Sequence, residues 1–108
     1  MKKFIISSGC NIDNSVPKEY VEQYSKQEML NNYVDSNLYE LENTILEIEN
    51  EEEAMAMFSK MRSEVICQGA GERININYNI VEMSVEEGEY EEGEWNPESV
   101  SVIGIAPV

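Results

Sequence analysis

Ile74, Ile76, Tyr78 and Ile80 are separated one by one by Asn75, Asn77 and Asn79. Strict period-two alternation puts the four large apolar side chains on one face of an extended strand and the three amides on the other. A half-buried strand of this kind commits the chain to a sheet with at least one covered face. The apolar phase then flips to Val81, Met83 and Val85, which predicts a β-bulge between the two runs. Val100, Val102, Ile103 and Ile105 make a last strand, so residues 86–99 read as the connection of a hairpin whose arms extend into that connection.

The rest of the chain supplies elements to cover this sheet. Residues 3–8 are rich in Phe and Ile and stop at Ser7-Ser8-Gly9, a short strand; residues 11–15 have turn composition. Pro17 suits a first helical turn, and Val16, Tyr20, Tyr24, Leu30, Tyr33 and Val34 form a loose helical stripe. Ser25 and Glu28 have capping-box spacing, which predicts a break of the stripe into two short helices. Residues 38–49 read as a strand, with Tyr39, Leu41 and Ile45 in one phase, Leu46 and Ile48 in the other, and a bulge or twist near Thr44. Asn50 is a good N-cap, followed by Glu51, Glu52 and Glu53 where the helix dipole favours acid. Ala54, Phe58, Met61 and Val65 continue on one helical face, Lys60 and Arg62 fall late in that helix, and Gly69 and Gly71 end it. Met55, Met57 and Met61 read as core packing on or beside that face, with a partner groove as the alternative. The expected order is β-α-β-α-β-β: a small single α+β domain over residues 1–108, with a mainly antiparallel sheet and two or three helices on one face.

Charge narrows the function. The chain has 108 residues, 22 acids, 7 bases and no histidine, for a net charge of −15. So negative a chain is unsuited to bare nucleic acid or to anionic membrane surfaces. Without histidine there is no Ser-His-Asp or Cys-His catalysis and no His-containing zinc site. Intrinsic disorder does not fit, because 42% of residues are apolar and they are patterned. Cys10 and Cys67 lie far apart and outside any CxxC, as expected of free, mostly buried thiols in a reducing cytosol. The apolar run after Lys2 and Lys3 is too short for a signal peptide or a membrane span, so a soluble protein in a bacterial cytoplasm is expected.

The charge is also unevenly placed. Residues 1–36 carry five acids and four bases, residues 37–73 nine acids and three bases, and residues 74–108 eight acids and no base. The densest stretch, Glu86-Glu87-Gly88-Glu89-Tyr90-Glu91-Glu92-Gly93-Glu94-Trp95, repeats Glu-Glu-Gly-Glu-aromatic with period five. Two interpretations fit this acidic hairpin tip, at about residues 86–98. One is a solvated, flexible loop; the other is a docking surface for a basic partner, with Tyr90 and Trp95 as anchors among the charges. An EF-hand needs Asp or Asn at alternating positions around a central Gly, and this stretch lacks that spacing. Gln68-Gly69-Ala70-Gly71 stands after an expected helix and before a strand, the reverse of a phosphate-binding loop. Carboxylate pairs abound, but no nucleophile elbow, cofactor motif or metal-ligand spacing accompanies them. The expectation is a non-enzymatic protein without cofactor.

Alternate strand positions are roughly 6.6–6.8 Å apart, against about 3.4 Å per charge along one DNA strand. One row of Glu therefore reaches about half that density, and two neighbouring rows would approach it. Glu40 and Glu42, Glu47 and Glu49, and Glu87, Glu89 and Glu91 have this spacing, with Glu51–Glu53 clustered at a helix start. In these residues, and in Glu86, Glu92 and Glu94, the chain resembles the small acidic inhibitor proteins carried by phages and mobile elements, of which anti-CRISPR proteins and other DNA mimics are the best known. The likeness covers about a third of the chain and matches no subfamily motif. It implies binding to a basic nucleic-acid-handling protein, such as a CRISPR-Cas effector, and blocking of its DNA or RNA site. The expected contact residues are Glu40, Glu42, Glu47, Glu49, Glu86, Glu87, Glu89, Tyr90, Glu91, Glu92, Glu94 and Trp95. The alternative is an immunity or adaptor protein for a basic partner unrelated to nucleic acid.

Overall fold

A computed structural model describes residues 1–13, 15–37 and 40–108. The elements are β1 (Lys2–Ile12), β2 (Val16–Pro17), α1 (Lys18–Gln23), α2 (Lys26–Ser36), β3 (Asn43–Ile48), α3 (Glu51–Phe58), β4 (Glu64–Gln68), β5 (Arg73–Glu91) and β6 (Glu94–Ile105). All strand pairings are antiparallel. With six strands and three helices among the described residues the molecule is α+β, as its apolar patterning predicts. No described helix is long and apolar enough to cross a membrane.

The alternating segment is the spine. β5 runs for 19 residues, pairing with β1 along one edge and with β4 and then β6 along the other. Its register against β1 is unbroken from Lys2↔Glu87 to Ile12↔Asn77, so the phase flip at Ile80–Val81 is not the expected bulge. It is a change of covered face. Ile76, Tyr78 and Ile80 pack with Val65 and with Met29, Leu30 and Tyr33 of α2. Met83 packs on the opposite face, with Phe4, Ile6 and Ala54 of α3. Directly opposed residues share a face, and Ile6↔Met83 and Gly9↔Ile80 place these two clusters on different sides. The helices therefore divide between the faces, where the sequence suggests a single covered face. Tyr33 stacks on Tyr78 at 4.0 Å between ring centroids.

Capping follows the sequence closely. Ser25 accepts from the Glu28 amide while the Glu28 carboxylate accepts from the Ser25 amide, which separates α1 from α2. Asn50 accepts from the Glu53 amide and opens α3. That helix is shorter than its apolar spacing implies: it ends at Phe58, and Val65 belongs to β4. Lys60 and Arg62 thus lie in the connection to β4, and Gly69 and Gly71 lie in the turn between β4 and β5. The buried Ser63 fixes this early exit, its amide donating to Pro107 O and its hydroxyl accepting from the Val81 amide.

Other boundaries move by a few residues. β1 continues through Gly9–Ile12 because each of those residues finds a partner on β5. β3 begins only at Asn43; Glu40–Glu42 precede it without regular structure, and Leu38 and Tyr39 lie outside the described residues. The bulge expected near Thr44 is present: Ile6 opposes Leu46 and Ser7 opposes Thr44, leaving Ile45 as the extra residue. The last strand starts at Glu94, earlier than its apolar run at Val100. The molecule measures 57 × 24 × 19 Å with a radius of gyration of 16.6 Å, against about 13 Å for a compact domain of this length.

Candidate functional site

That elongation comes from the hairpin of β5 and β6. β1 ends at Lys2 opposite Glu87, so residues 88–97 continue past the sheet as a two-stranded ribbon. Glu91 pairs with Glu94, leaving a two-residue turn in which Glu92 has φ 55° and Gly93 φ 85°. Two successive positive φ values are the signature of a type I′ turn, whose twist matches that of the flanking strands. Tandem repetition of Glu-Glu-Gly supplies the glycine such a turn needs. The ribbon carries a bulge at its base, where Glu87 opposes Ser99 and Gly88 opposes Pro97, with Glu98 as the extra residue. β6 approaches so closely here that a Cβ on Gly88 would meet Asn96 O and stand 2.7 Å from Pro97 Cα.

The tip is ordered by its aromatic pair. Tyr90 and Trp95 oppose each other across the hairpin with ring centroids 5.3 Å apart, and Trp95 Nε1 donates to Glu86 Oε2 at 2.7 Å. Lys3 Nζ lies over both rings, 4.8 Å from the Tyr90 centroid and 4.7 Å from that of Trp95. Hydrogen bonding with Tyr90, reinforced by Glu47 and Glu49, raises the Lys3 pKa above its ordinary value despite some loss of hydration. The amino terminus lies 3.7 Å from Glu89, Lys2 Nζ lies 4.0 Å from Glu87, and Met1 O accepts from the Gly88 amide. The start of the chain, its most basic stretch relative to length, is thus folded onto the base of its most acidic one. Sequence composition shows both stretches, but their meeting depends on a pairing more than 80 residues apart in the chain.

The twelve expected contact residues separate into three groups. Glu47, Glu49, Glu86, Tyr90 and Trp95 gather around Lys3, on the same side of the sheet as α2 but beyond the end of that helix. Glu87, Glu89 and Glu91 form the predicted row on the other side, and Glu94 stands opposite Glu91. The positions across from Glu89 and Glu87 are Asn96 and Ser99, so the row has no second charged row beside it over most of its length. Glu92 occupies the turn, and Glu40 and Glu42 are exposed ahead of β3, outside the hairpin. Among the described residues no cation comes within ion-pair distance of Glu91, Glu92 or Glu94.

Two further features lie outside that set. Val100 and Val102 share the face of Lys3 and Ile5 and are 60% and 59% exposed. Neither stands out in sequence, where both look like ordinary core positions of a last strand. Cys10 and Cys67 are free thiols but not the buried pair expected: Cys67 is half-buried, and Cys10 is exposed, its Sγ donating to Asn77 Oδ1 at 3.0 Å. Among the described residues, no three acidic or cysteine side chains converge in a metal-binding group. Comparison with protein-family models, with curated proteins and with solved structures found no match.

Proposed function

We propose that this protein is a non-enzymatic acidic inhibitor that binds a basic, nucleic-acid-handling protein, such as a CRISPR-Cas effector, and blocks its DNA or RNA site. The observation that carries this reading is the hairpin tip: Glu91, Glu92 and Glu94 project from an aromatic-braced ribbon, and among the described residues no cation comes within ion-pair distance of them. Bringing such groups together costs electrostatic free energy, and an incoming Lys- or Arg-rich surface recovers it. The net charge of −15 adds long-range steering toward a basic partner. A flexible solvating loop would need neither the type I′ turn nor the Tyr90–Trp95 brace. The single carboxylate row supports contact with a few phosphate-binding cations more readily than imitation of a full duplex.

The immobilised protein should retain a basic protein from bacterial lysate at about 0.1 M salt. Excess DNA or guide RNA should displace it, and the purified partner should lose nucleic-acid binding at one equivalent of inhibitor. Triple reversal at the tip (Glu91→Lys, Glu92→Lys, Glu94→Lys) should weaken retention by about a hundredfold, on the scale of three charge-pair contacts. Retention that nucleic acid does not displace would place the protein with immunity or adaptor proteins. Retention untouched by the triple reversal would remove the tip from the interface.

A further inference from the structure

The longest run of this acidic chain without an ionisable side chain includes the free edge of β6. Ser99 to Val108 contains no ionisable side chain, and residues 98–103 are exposed. Among the described residues β6 pairs only with β5, so its outer row of amides and carbonyls faces solvent. Natural sheets protect such an edge with charge, proline or bulges. Here Pro97 and the Glu98 bulge guard one end and the Ile103 bulge the other, leaving Ser99–Val102 regular and unguarded. Val100 and Val102 project from that stretch on one side, and Ser99 and Ser101 on the other.

We propose that this edge takes up an extended, basic segment of the partner by strand addition. The inference rests on the inhibitor reading above and names how part of the partner binds. Charge complementarity selects the occupant. Residues in register across the sheet run Glu47–Ile5–Ser84–Val102, and Lys3–Glu86–Val100 with Glu49 beside Lys3. An added strand would lie about 4.8 Å from β6 and about 9.6 Å from β5. Its apolar side chains would cover Val100 and Val102, and a Lys or Arg at the alternating positions, on the face of Ser99 and Ser101, would reach Glu87, which stands opposite Ser99. A second copy would present the same apolar edge, but it would bring together two chains of net −15, so a cationic strand is the fitting occupant.

The probe is a synthetic eight-residue peptide of alternating Val and Lys. Its control is the same peptide N-methylated at alternate amides, which keeps charge and side chains but loses one hydrogen-bonding edge. Backbone amide exchange of the whole protein should slow at residues 99–103 on adding the first peptide. The N-methylated peptide should bind at least tenfold more weakly, and Val100→Thr with Val102→Thr should weaken binding of the first about tenfold. Equal affinity for the two peptides, or protection confined to Glu91–Glu94, would overturn strand addition and leave the inhibitor reading standing. Protection of residues 99–103 in the absence of peptide, together with a dimer in sedimentation, would assign the edge to a second copy and also overturn it. Should lysate retention fail while the peptide still binds as described, it is the inhibitor reading that falls.

Discussion

Glu92 shows how a single residue is placed against its own preference. A non-glycine side chain in the left-handed region costs roughly 1–2 kcal/mol, and asparagine tolerates it best. Glu92 occupies that region at φ 55°, in a turn where Asn-Gly would be the favoured pair. Keeping glutamate here trades local stability for a carboxylate at the apex, as expected where the charge itself is used. Glu92→Asn should stabilise the tip by about 1 kcal/mol relative to Glu92→Gln, which removes the same charge without improving the turn. Amide exchange at Tyr90 and Trp95 should slow about fivefold between the two variants; equal rates would show that the turn does not limit opening of the ribbon. Tyr78 illustrates the same trade in the core. Burial, with Asp13 nearby, pushes its pKa from 10.0 up to about 12, and burial raises that of Tyr33 as well. For an acid with a raised folded-state pKa, the contribution is complete below the unfolded value and is lost as pH climbs through the folded one. Stability should therefore fall between pH 10 and 12, by about 2–3 kcal/mol from Tyr78 alone. Urea unfolding of Tyr78→Phe should show a shallower decline over that window, and an unchanged decline would clear Tyr78 of the effect.

At the scale of elements, what the sequence makes legible is whatever is decided locally. The Ser25–Glu28 capping box and the Asn50 cap involve residues three apart, and both form as expected. The bulge in β3 falls where the apolar phase changes, between Thr44 and Leu46. β5 shows the same kind of flip, from Ile80 to Val81, without a bulge. There it records a handover from the α2 face to the α3 face, and only the register against β1 distinguishes the two cases. The α3 overrun has a related cause. Val65 continues the helical period, but Val65-Ile66 also suits a strand, and pairing with Tyr78 and Asn77 decides in favour of β4. The candidate site divides the same way. The repeat of glutamate, glycine and aromatic residues announces a hairpin and its turn. That Lys3 would lie over Tyr90 and Trp95 depends on a register between the two ends of the chain, and no local pattern encodes it.

On the scale of the whole molecule the charge acts as a field as well as a set of contacts. Along the chain the last third has acids and no base, but β1 returns the amino terminus, Lys2 and Lys3 to the base of the hairpin, so the uncompensated charge is displaced outward to the tip. The molecule is 57 Å long, and screening extends over about 30 Å at 0.01 M salt but only about 8 Å at 0.15 M. At low salt the tip therefore repels the acids of β3 and α3, whereas at physiological salt each carboxylate interacts only with close neighbours. Folding and binding should then respond to salt with opposite signs. Urea unfolding should show higher stability at 0.15 M than at 0.01 M sodium chloride, because self-repulsion is relieved. Affinity for a basic partner should fall over the same range, because attraction is screened by the same ions. The triple lysine reversal at the tip should flatten both dependences together. If stability proved independent of salt while binding still weakened, the carboxylates would be too dispersed to repel one another, and the low-salt strain that favours partner binding would have to be abandoned as part of the mechanism.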